Sequence, residues 1–157
     1  MVPVMEQNWR HLPAPARPIA AAASEAVAAA QAHDGDALTA AVDDLAALDH
    51  GLVLGTATRL LLEDAHPDGL DGDAVRDVLE RTVRSAAAWQ PDVDPHVILL
   101  LLAGALGVLE EDDTPPPKPD VLARHAALLL AELLKGRETK AVFTAALVEI
   151  ERAQLND

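Results

Sequence analysis

Cysteine is absent from this sequence, and its absence removes disulfide bonds, thiolate metal ligands and cysteine nucleophiles from consideration. Tyrosine is absent too, and Trp9, Trp89 and Phe143 are the only aromatic residues, too few for the stacking platforms on which nucleobases or sugars rest. Positive charge is scarce: 12 Lys and Arg stand against 26 Asp and Glu, a formal net charge of −14. Such a balance disfavours nucleic acid and anionic membrane surfaces as partners and leaves basic proteins or cations. Serine is limited to Ser24 and Ser85, neither within a G-x-S-x-G elbow, and the chain has no phosphate loop and no G-x-G-x-x-G, so no nucleotide cofactor is implied. The longest uncharged apolar run, VILLLLAGALGVL at Val97–Leu109, has 13 residues, fewer than the roughly 18 needed to cross a bilayer. It reads as a helix buried on all sides.

What is abundant is alanine, leucine and valine, within a chain of 157 residues that is half apolar. Ala and Leu are strong helix formers, so the expectation is an all-α single domain of about seven helices, built from antiparallel helical hairpins around helix five. The lack of cysteine fits a cytoplasmic protein.

Residues 1–17 carry Pro3, Pro13 and Pro15 without periodicity and read as an extended arm pinned by Trp9; the helical domain is expected over 18–157. Arg10, His11 and Arg17 ahead of the alanine-rich run Ile19–Ala30 have the outline of an export signal, but Ser24 and Glu25 interrupt the run, which reads better as a first helix starting at Pro18. Helix two is expected to be capped by Asp36, with Leu38, Ala41, Val42 and Leu45 inward, and to stop near Asp49-His50-Gly51. Helix three covers about Leu52 to Ala65. Helix four, capped by Asp73, has the clearest amphipathic pattern, with Val75, Val78, Leu79, Thr82, Val83 and Ala86 opposite Arg76, Asp77, Glu80, Arg81 and Arg84. Asp94-Pro95 is a strong start for helix five, Pro119 opens helix six up to Gly136, and helix seven runs from Thr139 with Phe143, Ala146, Leu147 and Ile150 inward. Gly104 and Gly107 in helix five read as places where a neighbouring helix approaches closely. The starts of helices four and six, at Asp73 and Asp120, stand 47 positions apart, a spacing compatible with a short two-helix solenoid as well as with an irregular bundle.

The acidity is local. Residues 34–75 hold ten carboxylates and one arginine. Glu63, Asp64, Glu110, Glu111 and Asp112 fall at helix C-terminal ends, where the dipole opposes negative charge. With Asp68, Asp71 and Asp113 they form a candidate acidic interaction surface. The stretch EDAHPDGLDGDAVRDVLE, Glu63–Glu80, suggests a calcium loop, yet the EF-hand pattern fails in both registers. Starting at Asp64 puts Val75 where the bidentate glutamate belongs, and ending at Glu80 puts Ala74 where glycine is required. A transition-metal site would need Asp64 and His66 to meet Glu110 or Asp112, and the two inward Glu-x-x-His pairs of a ferritin-like site are not present, Glu63-x-x-His66 being the single such spacing. His33-Asp34 resembles the dyad of metal-dependent HD-domain phosphohydrolases, but glycine follows it and no second histidine pair stands at suitable spacing. His50, His96 and His125 read as helix-end or half-buried histidines. No metal and no cofactor are expected.

Three functions remain in order of expectation. The first is a non-catalytic protein-interaction module presenting its acidic end or a groove between hairpins, to a partner that is basic or to a second copy through helices six and seven. The second is a small-molecule-binding helical domain, similar in size and class to the ligand-binding halves of TetR-type regulators but with no basic DNA-binding module. A metal-dependent enzyme comes last.

Overall fold

The computed structural model describes residues 12–109 and 114–155. Among them the chain forms seven α-helices and no strand: α1 (Ala16–Gln31), α2 (Gly35–Ala46), α3 (Gly51–Ala65), α4 (Gly72–Ala87), α5 (Pro95–Ala105), α6 (Pro119–Leu133) and α7 (Thr139–Leu155). The all-α expectation holds, and the packing is that of a bundle. No single helix among the described residues is long and apolar enough to cross a membrane.

Two of the expected caps move by two residues, for the same reason. In Asp34-Gly35-Asp36 and in Asp71-Gly72-Asp73, the first aspartate has the extended backbone of an N-cap, and its carboxylate accepts the N–H three residues on: Ala37 at 3.1 Å and Ala74 at 2.8 Å. Asp36 and Asp73, the caps expected from sequence, sit in the first turn, where their charge meets the helix dipole without a capping bond. Replacing Asp34 or Asp71 by alanine should therefore cost about 1 kcal/mol each in urea unfolding, and replacing Asp36 or Asp73 about half that or less. Equal losses at all four positions would undo the assignment. Asp94 caps α5 as expected, accepting from the His96 N–H at 2.9 Å.

Helix ends are set by left-handed residues. Gly107 (φ 74°) stops α5 in a Schellman turn, with the Val108 N–H on the Ala103 carbonyl at 2.9 Å and the Gly107 N–H on Gly104 at 3.2 Å. The apolar run therefore does not continue as helix to Leu109, and it is not buried all round: Leu99 is 42% exposed, Val108 66% and Leu109 51%. His33 (φ 57°) takes the same role after α1, with Asp34 N–H on Ala29 at 2.9 Å, and its ring stacks on Trp89 at 5.0 Å. The His33-Asp34 pair is thus a helix stop followed by a helix cap. α1 itself begins two residues before Pro18, which is tolerated because the first-turn N–H groups have no partner inside a helix. Leu12, ahead of it, is buried; residues 1–11 of the expected arm, Trp9 included, lie outside the described residues.

α6, not α5, is the central helix: it packs on each of α1 to α5. Seven consecutive residues, His125 to Ala131, are buried, which only a helix surrounded on several sides allows. The leucine and alanine on several of its faces are therefore used inside the chain. α1 and α2 form a close hairpin, with Ala20, Ala23 and Ala26 fully buried where small side chains let the two backbones approach. Between α2 and α3 the chain turns through 119°, and α3 then packs on α7, α5 and α6. A solenoid repeat touches its sequence neighbours alone, so a helix shared by five others marks a bundle. A second, smaller core of Leu62, Val78, Ile98, Leu102 and Leu129 joins α4 and α5 to the rest.

Candidate functional site

The described carboxylates of the expected acidic surface have neighbours of their own. Glu63 accepts from Arg59, one turn earlier on α3, at 3.1 Å. Asp64 pairs with Arg137 from the turn between α6 and α7. These two cations explain how carboxylates are tolerated at the C-terminal end of α3. Asp71 is the α4 cap, and Asp68 is exposed. Glu110, Glu111, Asp112 and Asp113 lie outside the described residues. His66 is turned back on its own helix, with Nδ1 3.0 Å from the Leu62 carbonyl. Among the described residues no three His, Asp or Glu side chains gather as a metal site would need.

A large concavity lies elsewhere. A half-open cavity of about 1240 Å³ runs between α3, α5, α6 and α7, with Pro115–Pro117 along one side. Each helix contributes one stripe at helical spacing. Leu122, Ala126 and Leu129 come from α6, and Gly51, Leu54, Gly55 and Thr58 from α3. His96, Leu100 and Gly104 come from α5, and Glu149, Ile150 and Ala153 from α7. Ligand pockets typically span roughly 300–1,000 Å³, so there is room for a whole small molecule. The glycines help to create that room. A Cβ added at Gly51 or Gly55 would touch no other atom within 4 Å, and one at Gly104 would meet only the Leu109 side chain at 4.0 Å. The close helix approach expected at Gly104 is not what is found: α5 is held off α3 there, and the gap is cavity. Gly107 serves the helix stop.

No family model, curated protein or solved structure matches this chain. The chemistry of the site therefore rests on its own residues.

Several of the cavity's polar groups are already engaged. Thr58 Oγ1 donates to the Leu54 carbonyl at 2.8 Å. Arg59, the only Lys or Arg among the described residues lining the cavity, is bound to Glu63 and lies 3.9 Å from Glu149. His50 is different. It precedes α3, is 8% exposed, and its Nδ1 has no hydrogen-bond partner among the described residues. The Pro119 backbone lies near the ring and favours its cation.

Burial lowers the His50 pKa below the ordinary imidazole value, against Asp49 and the Pro119 backbone, which both favour the cation. The sign of the consequence is definite. Above about pH 6.5 the ring is neutral in folded and unfolded chains alike; below it the unfolded chain takes up the proton more readily, so stability falls until the lowered folded value is passed. Urea midpoints of the wild type should therefore drop faster than those of His50→Phe between about pH 7.5 and about pH 5. Parallel profiles would show that His50 is not buried as a neutral base.

His50 is read from sequence only as a helix-end or half-buried histidine, and while a groove between hairpins and a small-molecule-binding domain are among the expectations, the place of the cavity is not. The available signal was the spacing of Gly51 and Gly55, one turn apart on a single helix face.

Proposed function

We propose that this chain is a non-catalytic helical domain that binds a small, largely apolar molecule between α3, α5, α6 and α7. The observation that carries the reading is the cavity of about 1240 Å³, walled by apolar stripes of four helices and bordered by the buried His50. No metal-ligand cluster is found among the described residues, and the reading taken is binding, not turnover. A neutral hydrophobic dye, Nile red, should bind saturably at one site with enhanced fluorescence. Gly55→Phe, whose added ring extends into the cavity from a position free of neighbours, should abolish that binding while circular dichroism remains helical. Saturable binding that survives Gly55→Phe, or none in the wild type, would remove the proposal.

The reading as a protein-interaction module has less to support it. Of the acidic surface, Glu63, Asp64 and Asp71 have partners within the chain. Self-association finds its best support on α7, where Val148 is 50% and Leu155 85% exposed. Sedimentation at several concentrations tests it, and a monomer throughout would exclude it.

A further inference from the structure

α7 is apolar on two opposite faces, and the bundle uses one of them. Resting on the self-association reading above, and independent of the cavity, we propose that the outward face is a self-complementary seam. Two copies of this chain pair α7 against α7 antiparallel, about a two-fold axis at Val148, with Leu155 of each copy seated between Ala141 and Ala145 of the other.

The inward face of α7, with Phe143, Ala146, Leu147 and Ile150, belongs to the main core. On the opposite side Ala141, Ala145, Val148, Arg152 and Leu155 are all exposed. They follow one another at spacings of four, three, four and three, the alternation with which a helix presents one continuous seam to a second helix. An outer helix of a bundle carries charged and polar residues on that side; here four of the five seam residues are apolar.

Size fits the seam to a second copy. A shallow depression on this face is lined by Glu138, Lys140, Ala141, Thr144 and Ala145, and the two alanines leave the room. The large exposed side chain of the same stripe, Leu155, stands at its other end and is 85% exposed. Ala141 lies seven residues before Val148 and Leu155 seven after it, so an antiparallel copy centred on Val148 brings each Leu155 opposite an Ala141. A knob is then set over the hole between small side chains of the facing helix. Parallel pairing would instead put Leu155 on Leu155, leave alanine facing alanine and bring the two Arg152 side chains together.

Charge agrees with this orientation. With a formal net charge of −14, two copies repel one another on most approaches, yet α7 is neutral, Lys140 and Arg152 balancing Glu149 and Glu151. Arg152 pairs with Glu149 within the helix at 3.5 Å. Lys140 and Glu151, on one flank of the seam, have no ion-pair partner among the described residues. Like flanks meet in an antiparallel pair, so Lys140 of each copy stands five residues of rise, about 7.5 Å along the axis, from Glu151 of the other. The two long side chains span that offset, and two reciprocal ion pairs result. One helix pair of this length covers less than the roughly 800 Å² per partner of a standard interface, so the dimer is weak and forms at high protein concentration.

Because the chain has no cysteine, an introduced one is the only thiol, and oxidation with copper–phenanthroline reads the register directly. Val148→Cys should give a covalent dimer. An equal mixture of Ala141→Cys and Leu155→Cys chains should give mixed dimers in excess of those that Leu155→Cys forms alone, since a disulfide needs the two backbones close. Val148→Glu, which sets two carboxylates against each other on the axis, should raise the dissociation constant from sedimentation at least about tenfold with circular dichroism unchanged. A sedimenting dimer without the mixed cross-link, or one that Val148→Glu leaves as tight, overturns the antiparallel seam and assigns self-association to another face. Self-linking of Leu155→Cys in excess of the mixed product also overturns it, in favour of a parallel pair. A monomer at every concentration overturns both the seam and the self-association reading.

Discussion

Replacing Phe143 by alanine should remove about 3–5 kcal/mol of stability, a large share of the roughly 5–15 kcal/mol that a domain of this size has in total. Phe143 is the only phenylalanine in the chain and is completely buried. It belongs to the inward face of α7, which packs mainly on α3. Truncation removes the transfer free energy of the ring and leaves a hole that alanine- and leucine-rich neighbours, already in close contact, fill only in part. The measurement is the urea midpoint at unchanged slope, with Phe143→Leu recovering most of the loss. The change also bears on function, since α7 supplies Glu149, Ile150 and Ala153 to the cavity. Nile red affinity should fall with stability in Phe143→Ala. A loss below about 1 kcal/mol would mean that α7 is not docked as described.

His125→Ala should cost about 2–4 kcal/mol, through hydrogen bonds as much as through packing. The residue is 4% exposed at the centre of the bundle, and both ring nitrogens are engaged. Nε2 accepts from the Asp94 N–H at 3.0 Å, and Nδ1 lies 2.8 Å from the Val121 carbonyl. As Nε2 accepts, Nδ1 must carry the proton and donate. This one side chain therefore ties the start of α5, at its cap residue, to the middle of α6. Its removal leaves the Asp94 N–H without that acceptor inside the protein and loosens the end of α5 from which the cavity wall begins at His96. His125→Gln, which keeps both a donor and an acceptor, should restore part of the loss. If Ala and Gln are equally harmful, shape and not hydrogen bonding is what matters there.

His125 and His50 also show how far one-dimensional reading reaches. Both stood out as histidines near helix ends or half-buried, which their sequence surroundings support. Nothing local distinguishes the ring whose two nitrogens are both engaged from the ring with one nitrogen unpaired. The distinction depends on Asp94, 31 positions from His125, whose N–H occupies Nε2 of that ring, while Nδ1 of His50 finds no partner among the described residues. The acidic residues teach the same lesson. Glu63 and Asp64 looked unexplained at the end of α3, yet Arg59 was one turn away and in principle legible, whereas Arg137 comes from 73 residues downstream.

Helix content, most boundaries and the inward faces of α2, α4 and α7 were determined by the sequence alone, because propensity, 3.6-residue periodicity and capping act over a few neighbouring residues. The repeated Asp-Gly-Asp starts belong to the same local physics, although the capping aspartate is the first of each pair and not the second. Which helix is central, where the chain leaves a cavity and which buried atom lacks a partner were decided by tertiary structure. A glycine on a helix face permits a close neighbour or an open gap equally well, and only the packing of α3 against α5, α6 and α7 makes Gly55 and Gly104 the sides of a cavity.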